Sequence, residues 1–152
     1  IVGAYDYVIS GETLGPLFNS GVITNPRVYL LGVERPYDPE TLTEFEEYLE
    51  QKEYTKVPIT NSVGFAAWIS PVNTHGDEVT IVFTEHKTRQ DLLNQFFIKH
   101  LRTVSYHKES LHISSYAYSC IMNKRFSVVP SPDEDRGRQM VEDYLRMGWV
   151  WE

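Results

Sequence analysis

The chain has 152 residues and a formal net charge of −7, and its basic residues never run beyond a pair, so a broad cationic surface for extended duplex DNA is excluded. Its apolar content of 41% and charged content of 23% are those of a folded globular protein and exclude a disordered chain. A pocket for a small nucleotide or an RNA end needs only a few local donors, and an acidic surface suits a basic protein partner. Both kinds of partner therefore stay open.

The one cysteine, Cys120, lies in an apolar stretch and has no second cysteine with which to form a disulfide or a thiolate metal site. We expect a buried, inert thiol, and we predict neither a metal nor any other cofactor. No apolar run reaches membrane-spanning length, and the N-terminus lacks the pattern of a secretory signal. These features predict a cytoplasmic protein that does not bind membranes.

The chain begins with signals for strands and turns. Ala4–Ser10 alternates polar and apolar residues, which predicts a first strand. Glycine and proline punctuate 11–21, which predicts a turn and at most a short helix. Arg27–Val33 is a nearly continuous apolar run and predicts a strand buried on both faces.

A helix and two strands follow. Asp38 and Pro39 suit the cap and first position of a helix over Asp38–Gln51, whose glutamates we interpret as a solvated face. Lys56–Ile59 predicts a short strand at a sheet edge, because its proline cannot donate to a ladder. Val63–Ile69 predicts a further strand.

The strongest local signals lie between residues 78 and 120. Val79–Phe83 is β-branched and aromatic, Leu92–Leu101 carries a helical apolar stripe, and Leu111–Cys120 alternates again. This stretch therefore predicts a strand, a helix and a strand. Of the five histidines, His75, His100 and His107 fall at turns and helix flanks, where we expect them to be solvated.

The last part predicts a hairpin turn at Met122–Arg125, a strand at Phe126–Val129, and a helix that a capping box at Ser131 begins and Gly148 ends. The tail Trp149–Trp151 is expected to pack onto the sheet. With no repeat or linker, the elements predict one α+β domain over residues 1–152. Its sheet is expected to be mixed, mostly antiparallel, about six strands wide and covered by helices.

Two histidine motifs carry the sharpest functional signal, His86-Lys87-Thr88 and His112-Ile113-Ser114. In a strand, residues two apart share a face, so each imidazole would lie beside a hydroxyl. If both faces lined one cleft, one histidine could act as base and the other as acid on a phosphodiester, since their unperturbed pKa lies near neutrality. The hydroxyls would hold the phosphate oxygens.

These motifs resemble the pair of His-x-Thr/Ser motifs of the 2H phosphoesterases, the LigT-like or 2′,5′-phosphodiesterase family. Leu111-His112-Ile113-Ser114 matches one motif, and Arg27–Val33 followed by the Asp38–Gln51 helix is similar to the opening of many members. Ser62-Val63-Gly64, where the first motif is expected, has no histidine. The resemblance implies a bilobal sheet and a metal-independent phosphodiesterase or RNase that acts on a small nucleotide or RNA end.

In this hypothesis His86 and His112 are catalytic and Thr88 and Ser114 bind phosphate. Aromatic side chains that could stack on a base or anchor a protein include the substrate-binding candidates Tyr116 and Trp68; the full set is Tyr5, Tyr7, Trp68, Tyr116, Tyr118, Trp149 and Trp151. Taken singly, each histidine also has a structural explanation, so only their convergence would support catalysis.

Two other hypotheses use different residues. Asp77 together with Glu85-His86-Lys87 is similar to the acidic and lysine arrangement of magnesium-dependent nucleases. A non-enzymatic hypothesis is an acidic protein-interaction module, such as an inhibitor, an immunity-type protein or a host-factor antagonist. It would bind a basic partner through Glu44, Glu47 and Glu50 or through the aromatic surface.

Overall fold

A computed structural model describes residues 5–35, 38, 42–59, 63–130 and 134–152, the last range without the Glu134 side chain. Its α-helices are α1 (Gly11–Ser20), α2 (Glu44–Gln51), α3 (Arg89–Leu93), α4 (Ser115–Asn123) and α5 (Glu134–Arg146), with a 3-10 helix at Lys99–Thr103. Its strands are β1 (Tyr7–Ser10), β2 (Arg27–Leu30), β3 (Thr55–Val57), β4 (Ala66–Ile69), β5 (Thr80–Phe83), β6 (Val104–His107), β7 (Ser110–Ile113), β8 (Arg125–Phe126) and β9 (Val150–Trp151).

The fold is α+β, as predicted, and it is built on a mixed sheet of seven strands in the order β3-β4-β5-β2-β1-β6-β7. All neighbouring strands pair antiparallel except β2 and β5, which are parallel. The short strand that contains Lys56 and Val57 lies at one edge, as predicted. Strands β8 and β9 form a separate parallel pair.

Successive residues of the sheet pack against different layers, as period-two geometry requires. On one face Phe45 and Leu49 of α2 pack with Ile81 and Phe83 of β5. On the other face Val82 joins a larger core that the remaining helices cover.

Three of the α2 glutamates, Glu44, Glu47 and Glu50, are exposed, but Glu46 is only 2% exposed. The prediction that the whole glutamate run is solvated was wrong at Glu46.

Helix α1 is longer than the short helix predicted for this stretch. Gly11 begins it against the sheet, and a Cβ there would come within 2.4 Å of a Val104 methyl, so only glycine fits this approach. Pro16 lies inside the helix and cannot donate an amide hydrogen bond back to the Glu12 carbonyl. Gly21 then ends the helix with a left-handed φ of 77°.

Helix α2 begins later than predicted. Its cap is Thr43, whose hydroxyl accepts from the Glu46 amide while the Glu46 carboxylate accepts from the Thr43 amide, which completes a capping box. The predicted cap Asp38 lies in a bend, and residues 39–41 are outside the described residues. The Asp38 prediction was wrong because the Thr43 box satisfies the first amides of the helix.

The stretch from 89 to 123 differs most from the prediction. The predicted helix Leu92–Leu101 is divided between α3 and the 3-10 helix, and a β6–β7 hairpin follows with positive φ at Lys108 and Glu109. The predicted strand Leu111–Cys120 ends at Ile113, and α4 begins immediately afterwards. Ala117, Cys120 and Ile121 are buried at helical spacing, so the 3.6-residue period overrides the alternation. Cys120 is buried, as expected.

The C-terminal helix ends as predicted at Gly148, with φ of 89°, whereas the predicted capping box at Ser131 lies outside the described residues. Helix α4 runs through Met122 and Asn123, where a hairpin turn was predicted. Val150 and Trp151 pair with β8, whereas Trp149 packs, as predicted, against the core on one face of the main sheet. None of the helices in the described part of the chain combines the length and apolarity needed to span a bilayer.

Candidate ligand pocket

The structure does not bring the two predicted catalytic histidines together. His86 follows β5 and His112 lies on β7, and three strands separate these two in the sheet. With about 4.8 Å between neighbouring strands, the two backbones are about 19 Å apart across the sheet. The two histidines also lie at opposite ends of the strands. His112 pairs with Ser105 at one end of the ladder, whereas His86 lies beyond Phe83 at the other end. The shared cleft that two-histidine catalysis requires is not formed.

The two predicted phosphate ligands serve as helix caps. The Ser114 hydroxyl accepts from the Ala117 amide at 3.0 Å and donates to the Thr103 hydroxyl at 2.8 Å. The Thr88 hydroxyl accepts from the Asp91 amide at 3.1 Å and caps α3. Both hydroxyls satisfy amide groups that would otherwise lack a partner, which gives each of them a structural role.

Both predicted aromatic contacts have hydrogen-bond partners within the fold. Trp68 is 1% exposed, and its indole N–H donates to the Glu46 carboxylate at 3.3 Å. Tyr116 lies on α4 rather than on a strand, and its hydroxyl donates to the Glu152 carboxylate at 2.8 Å. Burial, with the Glu152 hydrogen bond, raises the pKa of Tyr116 to about 12. Trp68 is thus a core residue whose indole N–H is satisfied inside the protein.

The magnesium hypothesis has no cluster to support it. Glu85 pairs with Arg35 at 3.2 Å, and Asp77 accepts from the Asn25 amide at 3.4 Å. Within the ranges that the structure describes, no group of three or more histidine, cysteine or acidic side chains is arranged to hold a metal ion.

A different pocket has the features of a binding site. It has a volume of about 580 Å³ and lies between α1, the 3-10 helix and the C-terminal segment. That volume is in the range of small-molecule sites. Its lining includes Glu12 and Gly15 of α1, His100 of the 3-10 helix, Tyr144 of α5 and Trp149. We call this the His100 pocket.

His100 is the unusual side chain in this pocket. It is 1% exposed, although a solvated position was predicted, and its ring stacks on Trp149 with centroids 5.3 Å apart and planes 9° from parallel. Its Nδ1 atom has no hydrogen-bond partner among the described residues, and it is the one buried side-chain nitrogen or oxygen there of which this is true. Burial lowers the pKa of His100 to about 4, although the Glu152 charge opposes the change, so the ring is neutral at physiological pH.

Glu12 supplies the pocket with a carboxylate held in place by its neighbours. Its Oε1 accepts from the Tyr29 hydroxyl at 3.2 Å, and Oε2 lies 3.9 Å from the Arg27 guanidinium. Burial raises the pKa of Tyr29, and the Glu12 charge raises it further, so this phenol stays a donor. The pKa of Tyr144 is raised in the same way by burial and by Glu12.

Gly15 leaves part of the pocket wall without a side chain. It is buried, yet a Cβ placed on it would meet no atom within 4 Å. A side chain at this position would therefore project into open space. The wall is concave at Gly15, as in a ligand site, and is not filled by a packed helix contact. Gly11 and Gly15 are one helical repeat apart, and this spacing is the sequence signal that could have indicated the cradle.

The sequence matches no model of a known protein family, and no curated protein matches it either. The pocket geometry is therefore what points to function.

Two other hollows, of about 440 and 620 Å³, lie beside α2. Their walls include Tyr48, Lys52 and Gln51, all exposed. No buried side-chain nitrogen or oxygen without a partner lies in their described walls. The His100 pocket is thus distinguished by its chemistry rather than by its size.

His107 was also predicted to be solvated, but its side chain is 13% exposed and its Nε2 lies 2.8 Å from Asp6 Oδ2. This pair joins β6 to the residue before β1, which gives it a structural explanation. His75, in the loop before Asp77, is exposed as predicted.

Proposed function

We propose that the protein is a small-molecule-binding domain and that its ligand occupies the His100 pocket. The observation that carries this proposal is a cavity of about 580 Å³ whose wall brings together the buried His100, the anchored Glu12 carboxylate and Lys124 from distant segments of the chain. Ligand sites are clefts of about this volume in which apolar and aromatic walls meet a few convergent polar groups.

The surroundings of His100 support binding rather than catalysis. The low pKa of His100 keeps its ring neutral across the physiological pH range. The ring can therefore form hydrogen bonds there but is a weak proton acceptor. Glu12 is held by Tyr29 and Arg27, which fixes the position of this carboxylate in the pocket wall. The rigid aromatic pair of His100 and Trp149 offers a preorganised wall.

The proposal is tested by blocking the pocket. Gly15→Leu places a side chain in the open space beside Gly15, while Ser119→Leu adds the same side chain at an exposed position of α4 outside the pocket. A fragment library is screened by ligand-observed NMR against the wild type and both variants. We expect a set of fragments that bind the wild type and Ser119→Leu but not Gly15→Leu.

The proposal fails if no fragment distinguishes Gly15→Leu from the wild type. Amide spectra of both variants establish that each is folded before the screen. If Gly15→Leu does not fold, the milder Gly15→Ala takes its place, and chemical-shift changes at His100 and Trp149 in the wild type locate the fragments. Fragments that shift other residues and leave these two unchanged also overturn the proposal.

A further inference from the structure

We infer that two copies of this chain associate through strand β7, edge to edge and antiparallel, around a two-fold axis that passes beside His112. The main sheets of the two copies then join into one continuous sheet. The contact lies outside the His100 pocket and does not depend on the proposed binding function.

The two edges of the main sheet differ in how they are protected. Strand β3 at one edge contains Lys56 and is followed at once by Pro58, and a lysine or a proline at an edge keeps other strands from pairing with it. Strand β7 at the other edge reads Ser-Leu-His-Ile, with neither lysine nor proline. Each residue of β7 pairs with one residue of β6, so no bulge bends this described strand away. Strand β7 is therefore the open edge of the sheet.

The backbone of β7 alternates between groups that β6 satisfies and groups that it leaves open. The Ser114 amide donates to the Thr103 carbonyl at 3.1 Å, so these two residues form a hydrogen-bonded pair of the ladder. Such pairs alternate with non-hydrogen-bonded pairs, and the adjacent pair of Ile113 with Val104 is therefore of the second kind. Leu111 lies two residues before Ile113 and has the same phase. The amide and carbonyl groups of both residues thus point away from β6.

The hairpin turn before β7 gives the same phase independently. Lys108 and Glu109 form a two-residue loop in which both residues have positive φ, the geometry of a type I′ turn. The residues that flank such a loop, here His107 and Ser110, form a hydrogen-bonded pair. Leu111 follows and is again turned outward. Within the described chain, no backbone hydrogen bond from another element reaches these outer groups.

The open groups of β7 match those of a second copy of the same strand. With the axis beside His112, Leu111 of one copy lies opposite Ile113 of the second copy, and the two residues exchange two hydrogen bonds. Symmetry repeats this pair on the other side of the axis, so the open groups of these residues in both strands are satisfied. Leu111 is 46% exposed in the single chain, and its cross-strand neighbour in the dimer is an isoleucine side chain.

Charge and closure favour a dimer over other assemblies. Two chains that each carry a net charge of −7 repel one another, so self-association needs an uncharged contact. Residues 110–113 include no aspartate, glutamate, lysine or arginine. Because β3 is protected, an edge contact between copies joins β7 to β7, and a contact of this isologous kind closes after two copies. The contact is short, so we expect a reversible dimer of modest affinity.

The first test measures the mass of the wild-type protein by sedimentation equilibrium between about 10 µM and about 1 mM. We expect the weight-average mass to rise with concentration toward that of two chains. Leu111→Lys places a charge at the contact, and Leu111→Pro removes one outward amide while the hydrogen bonds to β6 remain. Both variants should stay monomeric. Val72→Lys changes an exposed apolar residue in the loop between β4 and β5, and this control should dimerise like the wild type.

Hydrogen exchange followed by NMR tests the same contact in the wild type alone. The amides of Leu111 and Ile113 should exchange rapidly in the dilute protein and severalfold more slowly at high concentration, because dimerisation gives them acceptors. The amides of Ser110 and His112, which already bond to β6, should change much less. This alternation along β7 is specific to edge pairing.

Several results overturn the inference. A protein that stays monomeric at about 1 mM does so, and so does an assembly that grows beyond two copies. A dimer that survives Leu111→Lys, or in which the Leu111 and Ile113 amides keep their monomer exchange rates, uses another surface and also overturns it. Fragment binding in the His100 pocket is measured separately, so failure of the dimer and failure of the binding function are distinguishable.

Discussion

Glu46 and His100 are both buried polar side chains, and they lie in the two different layers that flank the sheet. Glu46 accepts from the Trp68 indole and from the Thr43 amide, and it pairs with Lys56 at 3.2 Å. His100 has an aromatic neighbour on its face but no partner at Nδ1 among the described residues. Both are buried to the same extent, so burial alone does not separate a structural group from a functional one.

The difference lies in whether the surrounding chain satisfies the group. The hydrogen bonds of Glu46 are all explained by helix capping and packing, so it needs nothing from outside the protein. His100 is held by stacking on Trp149, lines an open cavity, and has no partner at Nδ1 among the described residues. The α2 layer is therefore interpreted as structure and the His100 pocket as the site, and mutations can test this contrast.

The largest effect is expected from Glu46→Ala. It removes the acceptor of the buried Trp68 N–H and one half of the α2 capping box, which should lower the free energy of unfolding by about 2–4 kcal/mol. The exposed Lys56 amine adds little, because water screens that pair. Urea denaturation measures the change, and Glu46→Gln, which keeps one acceptor oxygen, should lose about 1 kcal/mol. Equal stability of the alanine variant and the wild type would contradict a structural role.

The second effect is a dependence of stability on pH that comes from His100. Because its pKa is lowered from about 6.5 to about 4, the unfolded chain binds more protons than the folded protein between these values. The free energy of unfolding should therefore be unaffected by this residue above pH 6.5 and fall as the pH drops toward 4, by roughly 3 kcal/mol in all.

His100→Phe isolates this contribution, because all other titrating groups are common to both proteins. The difference in unfolding free energy between the variant and the wild type should grow steadily as the pH is lowered from 6.5. At pH 7 the two should agree within about 1 kcal/mol, since a buried unpaired nitrogen is replaced by an apolar ring. Parallel pH profiles would show that His100 is not buried as described.

The smallest effect is expected from the residues first assigned to phosphate binding. Ser114→Ala removes the cap of α4 and should cost about 1 kcal/mol of stability, measured by thermal or urea unfolding. Ser115→Ala, one residue later and exposed, is the matched control and should change stability by less than about 0.5 kcal/mol. Fragment binding in the His100 pocket should be unchanged in both. A loss of binding in Ser114→Ala alone would return this residue to the site.

The strands that the sequence predicts well are those in which local preference and burial agree. Val82 and its β-branched neighbours form β5, and Lys56 lies in an edge strand beside a proline, as predicted. The segment around Ala117 fits both an alternating and a helical pattern. In the folded chain the Ser114 hydroxyl caps this segment as a helix, and the sequence pattern alone does not show that contact. Local pattern therefore predicts the class of the fold but not each element.

The His100 pocket could not be predicted from the sequence because its walls come from distant segments. Glu12, His100 and Trp149 meet only after α1, the 3-10 helix and the C-terminal segment have packed together. Besides the spacing of Gly11 and Gly15, one further local signal existed, since His100 stands between the apolar residues Ile98 and Leu101. Whether a buried histidine finds a partner is a property of tertiary packing, and no spacing rule reports it.

The position of β1 has a consequence for synthesis of the protein. Val8 lies in the interior of the sheet, where it pairs with Tyr29 on one side and with His107 on the other. The second neighbour leaves the ribosome about a hundred residues after the first strand, which at bacterial or eukaryotic elongation rates is about 5–20 s later. During that interval the nascent chain presents an unprotected strand edge to other chains. Slower translation thus prolongs the period in which the newly made protein is most exposed to aggregation and most dependent on chaperones.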